Sequence, residues 1–159
     1  MNPLQELAEY EEPDEPGGFE QRGRPSPHRW RLVDGVLASL TLPGTVPEQT
    51  WRSYLDVLAE RRPKHCLLLS VGAVTIDAGQ RRRFTNAAMR ARSASVVLTD
   101  NRITRGWAMA VAWFGAKLDA YAWQDLPQAL DSLEVGGATR RRLYETALSF
   151  HEAESHLER

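Results

Sequence analysis

Apolar positions recur along this chain with two alternating periods. From Trp30 onward, segment 30–42 (WRLVDGVLASLTL) reads as two β-runs around Asp34-Gly35, and Asp-Gly between alternating apolar residues is a strong hairpin signal. In TVPEQTWRSYLDVLAERR the period changes to that of a helix, with Trp51, Tyr54, Leu55 and Leu58 on one stripe. Thr45 and Glu48 there have the spacing of a capping box, Pro47 falls in the first turn, and Pro63 ends the helix. HCLLLSV is short and continuously apolar, as a strand buried on both faces must be.

The alternation continues to the end. TIDAGQRRRFTNAAMRAR predicts a helix with Phe84, Ala87, Ala88 and Ala91 inward, and SASVVLTD predicts another buried strand. TRGWAMAVAWFGA predicts a helix whose inner face carries Trp107, Ala110, Val111 and Phe114, closed by Gly115. KLDAYAW predicts the last strand. Asp125 caps LPQALDSLEV, and after Gly136-Gly137 a terminal helix follows. Strands separated by single helices imply parallel pairing through crossovers, so the fold class is α/β. The expected sheet is mixed, opened by a β-hairpin, with helices alternating with strands and an extra C-terminal helix.

Residues 1–28 break this pattern. Residues 1–20 carry seven acidic side chains and no basic one, and Pro13, Pro16, Gly17, Gly18, Gly23, Pro25 and Pro27 punctuate the segment. Such composition cannot build a core, so the segment is expected to be a disordered acidic leader. Leu4, Leu7 and Ala8 nevertheless stand at helical spacing, and 3–11 suits a short amphipathic helix formed on a partner. The division is therefore 1–28 leader, 29–135 α/β domain and 136–159 C-terminal helix. The net charge of −1 hides an asymmetry, because the chain after residue 20 holds 20 basic and 14 acidic residues. A basic domain with an acidic tail can bind that tail, or anionic partners in competition with it.

Candidate chemistry is sparse. Cys66 is the only cysteine, so neither an internal disulfide nor a multi-cysteine zinc cluster can form. Beside an apolar run it is expected to be a small buried hydrophobe. His151 and His156 are spaced i, i+5, one residue off a helical metal pair. No GxGxxG or P-loop occurs, so no cofactor, nucleotide or metal is expected. Trp51, Trp107 and Trp113 are expected in the core and not on nucleic acid, whereas Trp30 and Trp123 stand at strand edges open to exposure. No stretch approaches the roughly 18 apolar residues of a membrane span, and the N-terminus lacks signal-peptide character, so a cytoplasmic location is expected. Asp77, Thr99, Asp100 and Asn101 fall at strand-to-helix junctions, where open α/β sheets bind ligands and where Asp and Asn also cap helices.

The layout hairpin–α–β–α–β–α–β–α–α resembles the STAS domain, found in sulfate transporters and anti-sigma factor antagonists, and the looser STAS/Sec14-like and SpoIIAA-like group. The residues that carry the resemblance are DGVLASLTLPG, LLLSVGAVTIDAGQRRRF, and VVLTDN followed by KLDAYAWQDLPQALDSL, together spanning about 30–135. It implies a bacterial, non-catalytic regulatory or scaffolding protein that binds a protein partner at the start of its second helix. In the antagonists a serine or threonine there is phosphorylated and the added charge expels the partner. If Gly79 matches the family glycine, the acceptor position is Ala78; if Asp77 matches the family aspartate, the loop is one residue short. Neither alignment leaves a hydroxyl at the switch, so a binder without the usual phosphoswitch is expected. The implied contact comprises Thr75, Asp77, Ala78, Gly79, Gln80, Arg82 and Arg83, with Asp100, Asn101 and Arg102 on the neighbouring loop. With arginines at a helix N-terminus, it suits a partner acidic at the contact. Self-association into a homo-oligomer stays open, and a small-ligand or lipid-head-group binder using the same loops is the alternative. Large apolar residues facing outward on one helix would favour that alternative.

Overall fold

The computed structural model describes residues 26–158. The leader up to residue 25, with its amphipathic 3–11 segment, lies outside them. Strands β1 (His28–Val33) and β2 (Val36–Thr41) form the hairpin, and Asp34 and Gly35 have φ of 49° and 81°. Positive φ at both central residues is what a type I′ turn demands. There follow β3 (Gly44–Thr45), α1 (Glu48–Arg61), β4 (His65–Ser70), β5 (Val74–Thr75), α2 (Ala78–Ala91), β6 (Ala94–Leu98), α3 (Arg102–Trp113) and β7 (Lys117–Tyr121). A 3₁₀ turn (Trp123–Asp125), α4 (Leu126–Ser132), α5 (Gly137–Glu154) and a second 3₁₀ turn (Ser155–Glu158) complete the chain. The protein is therefore α/β, with a mixed sheet opened by a hairpin and helices alternating with strands.

The five-stranded sheet has the order β1-β2-β4-β6-β7, with β1 antiparallel to β2 and every later pair parallel. The order never reverses, so each crossover steps the same way and α1, α2 and α3 share one face. Register sets the two cores. Leu37, Cys66, Ser95 and Leu118 stand in one row under those three helices, while Ala38, Leu67 and Val96 stand in the next and face away from them. On the first face Trp51, Tyr54 and Leu58 of α1, Phe84 and Ala88 of α2, and Ala108 and Val111 of α3 complete the layer. On the second, Leu126, Ala129, Leu130 and Leu133 pack with Leu143, Ala147 and Phe150 of α5. The C-terminal helix is thus a full layer of the core. Its start is tied to the hairpin turn, where Arg142 pairs with Asp34 at 2.6 Å and the Thr139 hydroxyl donates to the same carboxylate.

Several local expectations need correction. Order begins ahead of Trp30: Ser26 and His28 are buried, and the Leu42 amide donates to the Pro27 carbonyl at 2.7 Å. Thr45 and Glu48 form no capping box, because Thr45 pairs with Thr75 in the small β3–β5 ladder and Pro47 takes the N-cap position of α1. Trp30 and Trp123 are buried, the latter donating its indole N–H to the Ser70 carbonyl at 2.9 Å. The inner stripe of α3 is Thr104, Ala108 and Val111, rotated away from the one the sequence suggested. Cys66 is buried as expected, and burial pushes its thiol up to about 11.

His28 is the least ordinary core residue. Its ring lies among Trp30, Trp51 and Tyr54, and Nδ1 shares a 2.9 Å hydrogen bond with the Thr41 hydroxyl. Nε2 has no hydrogen-bond partner among the described residues, and burial lowers the imidazole to about 3, so it is neutral in the folded protein. In the unfolded chain it protonates near its ordinary value of about 6.5. The unfolded state therefore gains the proton first as pH falls, and stability declines from about pH 6.5 down to about 3 by as much as ~1.4 kcal/mol per pH unit. Urea unfolding at a series of pH values should show that slope, and His28→Gln should be flatter by this one-proton contribution. Leu143→Ala should cost about 2–5 kcal/mol in the same assay, as expected of a core helix, and show one cooperative transition.

Candidate functional site

The expected contact surface centres on the start of α2. Asp77 is its N-cap: Asp77 Oδ1 accepts from the Gln80 amide at 2.8 Å, and Gln80 Oε1 accepts from the Asp77 amide at 3.0 Å. This reciprocal capping box starts the helix at Ala78, three residues later than Thr75. Gly79 sits close under it, where a Cβ would come within 3.2 Å of Asp77 Oδ1. Gln80 itself is buried. Its amide Nε2 donates to the Val46 carbonyl at 3.0 Å, and its own carbonyl accepts from the Trp51 indole at 3.0 Å. Gln80 therefore joins α2 to α1 and offers nothing to a partner.

The other expected residues separate in the same way. Thr75, Asp77, Ala78, Arg82 and Arg83 are exposed around the helix start, but Arg83 is paired with Glu48 of α1. Arg81 is half-buried and donates to the Ile76 carbonyl at 2.9 Å. On the neighbouring junction, Asp100 Oδ1 accepts from the Trp123 amide at 3.0 Å. Asn101 Oδ1 accepts from the amides of Ile103 and Thr104 and caps α3, and Arg102 is exposed. The carboxylates and amides at the strand ends are thus committed to capping and loop closure. Among the described residues, Arg82 is the cation of the α2 start without an ion pair.

What the sequence left unassigned lies beside Arg82. Between α2 and α3 runs a groove of about 520 Å³, lined on the α2 side by Ala78, Arg81, Arg82, Thr85, Asn86 and Met89 and on the α3 side by Ala110, Val111 and Phe114. Its walls are mostly apolar, and its charged residues are both arginines. Trp107 leans from α3 toward Phe84 of α2, ring centroids 6.3 Å apart. Phe114 (77% exposed) borders this groove, and along α3 itself Ile103 (80%), Met109 (60%) and Trp113 (87%) are exposed. A helix that is apolar on every side is normally buried on every side, yet only one stripe of α3 meets the sheet. The signal was present in WAMAVAWF, which carries more apolar side chains than a single layer over a sheet can cover. A second, shallower groove between α1 and α2 is lined by Arg52, Leu55, Asp56, Arg62, Arg83 and Arg90 among others. Its cations are partly spent: Arg52 and Arg83 pair with Glu48, and Arg62 donates to the Arg90 carbonyl.

Replacement of Gln80 by alanine should strand the buried Val46 carbonyl and undo half of the capping box, lowering stability by about 1–3 kcal/mol. Arg82→Glu, two residues on and on solvated surface, should stay within about 0.5 kcal/mol of the unsubstituted protein. Paired denaturation curves check both.

In comparisons with known proteins, no family model, no curated sequence and no solved structure matches this chain.

Proposed function

We propose that this chain is a non-catalytic regulatory or scaffolding protein of STAS-like architecture, and that it binds an amphipathic, acidic segment of a protein partner in the α2–α3 groove. The observation that carries the reading is Arg82, exposed at the start of α2 and without an ion pair among the described residues, on the wall of a groove that also holds the exposed Phe114. Exposed apolar patches rimmed by polar residues mark interaction surfaces, and aromatic residues with arginine are the usual anchors of such contacts. The non-catalytic part is supported by the chemistry of the surroundings. The Cys66 thiol and the His28 imidazole are buried in the sheet–helix core, and the described residues of the groove wall include no acid, histidine or cysteine. The contact shares the start of α2 with the surface that the STAS resemblance implies, and extends along the helix toward Met89. Ala78 opens that helix, so partner release by phosphate would need another site.

The large apolar residues that face outward on and just after α3 are the feature expected to favour the second reading, a small-ligand or lipid-head-group binder. An elongated apolar groove with arginines at one side also suits an anionic amphiphile, its tail among Met89, Ala110 and Phe114 and its head group at Arg81 and Arg82.

The test uses the immobilised full chain and three variants in extract from the native host. Arg82→Glu and Phe114→Ser should each lower capture of the specific partner about tenfold or more, equivalent to about 1.4 kcal/mol per decade. Arg141→Glu, on α5 and away from the groove, should leave capture unchanged, and retention should weaken as salt rises. Equal losses in Arg82→Glu and Arg141→Glu would reduce the effect to the overall charge of the domain. Binding to anionic phospholipid vesicles, lost in Arg82→Glu and Phe114→Ser, would select the amphiphile reading instead.

A further inference from the structure

The turns that end α1, α2 and α3 meet at the end of the sheet where β4, β6 and β7 begin. Arg62 donates to the Arg90 carbonyl at 2.8 Å, and the Ala94 amide donates to the Lys64 carbonyl at 2.8 Å. Register places His65 beside Ala94 and Ala94 beside Lys117. The backbones of Lys64 and Lys117 therefore stand on one rim, two strand spacings or about 10 Å apart. Met89, near the end of α2, lies against the turn that closes α3, where a Cβ on Gly115 would come within 3.6 Å of Met89 Cε. Trp113, exposed on the last turn of α3, flanks the same rim.

This rim is basic. The three connecting segments, 59–64, 86–94 and 109–118, hold six basic residues and one acid, Glu60. Arg62, Lys64, Arg90, Arg92 and Lys117 are exposed, and none of these five makes an ion pair among the described residues. A cation in the last turn of a helix is stabilised by the helix dipole, which accounts for Arg90. It does not account for Lys64 and Lys117, which lie beyond the helix ends, or for an exposed indole beside them. Arg62 and Arg90 also line the α1–α2 groove of about 850 Å³, whose other cations are Arg52 and Arg83, so the rim opens into a basic channel along α2.

We infer that this rim and the α1–α2 groove bind single-stranded nucleic acid, with phosphates on Arg62, Lys64, Arg90, Arg92 and Lys117 and a base stacked on Trp113. Cations that track a backbone beside an exposed aromatic ring make up a sequence-tolerant single-strand site. A duplex keeps its base faces inside the stack, and an acidic peptide matches the cations but brings no planar group to the indole. With Trp113 outside the core, the ground for expecting no nucleic acid is gone. None of the six contact residues lines the α2–α3 groove, so this site goes beyond the partner-binding reading and is tested apart from it.

The test is fluorescence anisotropy of a short labelled oligothymidylate, and of an oligouridylate of equal length, titrated with the full chain. Binding to the first, the second or both supports the site and identifies the sugar it accepts. Kd should rise with salt with a log–log slope of about 3, from roughly 0.7 for each phosphate neutralised. Trp113→Ala should weaken binding about tenfold, and Trp113→Phe should retain most of it, because stacking requires a ring of either kind. Arg92→Glu/Lys117→Glu should weaken binding about tenfold or more and lower the salt slope, while Arg141→Glu on α5 leaves both unchanged. All of these side chains are exposed, and an unchanged urea midpoint confirms that each variant folds. No binding at low salt, or binding that Trp113→Ala leaves unaltered, would overturn the site. Equal losses in Arg92→Glu/Lys117→Glu and Arg141→Glu would reduce the effect to overall charge and overturn it too. Binding to anionic phospholipid vesicles, lost in the same variants and without binding to either oligonucleotide, would assign the rim to a membrane surface instead.

Discussion

The start of α2 depends on one buried side chain, Gln80, and most of the candidate site depends on the start of α2. Gln80 caps its own helix with Asp77, holds the Val46 carbonyl, and accepts the Trp51 indole on its backbone oxygen. These bonds join the loop before α1, the helix α1 and the helix α2 into one body over the sheet. Gln80, Val46 and Trp51 are buried, where an unpaired donor or acceptor costs about 1–3 kcal/mol, so these bonds hold the three segments together. The consequence is directional. With α2 fixed against α1, its other side faces α3 at a constant angle, and Arg82 is held at the margin of the groove.

The division between a tight α1–α2 junction and an open α2–α3 junction follows from the side chains available. Between α1 and α2 the chain places Trp51, Tyr54 and Phe84, whose rings lie within 5.5–6.4 Å of one another. Between α2 and α3, Trp107 meets Phe84 near the middle of both helices. Beside that contact stand Thr85, Ala110 and Val111, whose side chains are small. The groove is thus a product of residue size.

Much of this architecture was legible in the sequence because each sheet face has its own period-two rule. Continuous apolar runs marked the strands that are covered twice, and Asp34-Gly35 marked the hairpin by its need for positive φ. Capping was legible only in part. Asp77–Gln80 and Thr45–Glu48 have identical spacing, yet only the first forms a box, since the backbone around Thr45 is consumed by its ladder with Thr75. The groove was hidden for a related reason. Periodicity on α3 is ambiguous when nearly every residue is apolar, so the pattern could not say whether Phe114 or Ala108 faces the sheet. Trp113, assigned to the core on hydrophobicity alone, is among the most exposed side chains for the same reason.

An exposed apolar surface of this kind is a hazard unless something limits its contacts. Trp113, Phe114 and Met109 are each more than half exposed, and exposed apolar surface favours association by the ordinary hydrophobic effect. Arg82 lines the groove and Arg102 is exposed at the start of α3, so on the proposed reading these cations favour an acidic segment over a second copy presenting the same face. Like-charge juxtaposition across an interface costs more than exposed pairs gain, so on the proposed reading the arginines act chiefly by excluding wrong partners. Apolar area would then supply affinity and the arginines selectivity, with the capping box fixing the start of the helix that carries Arg82.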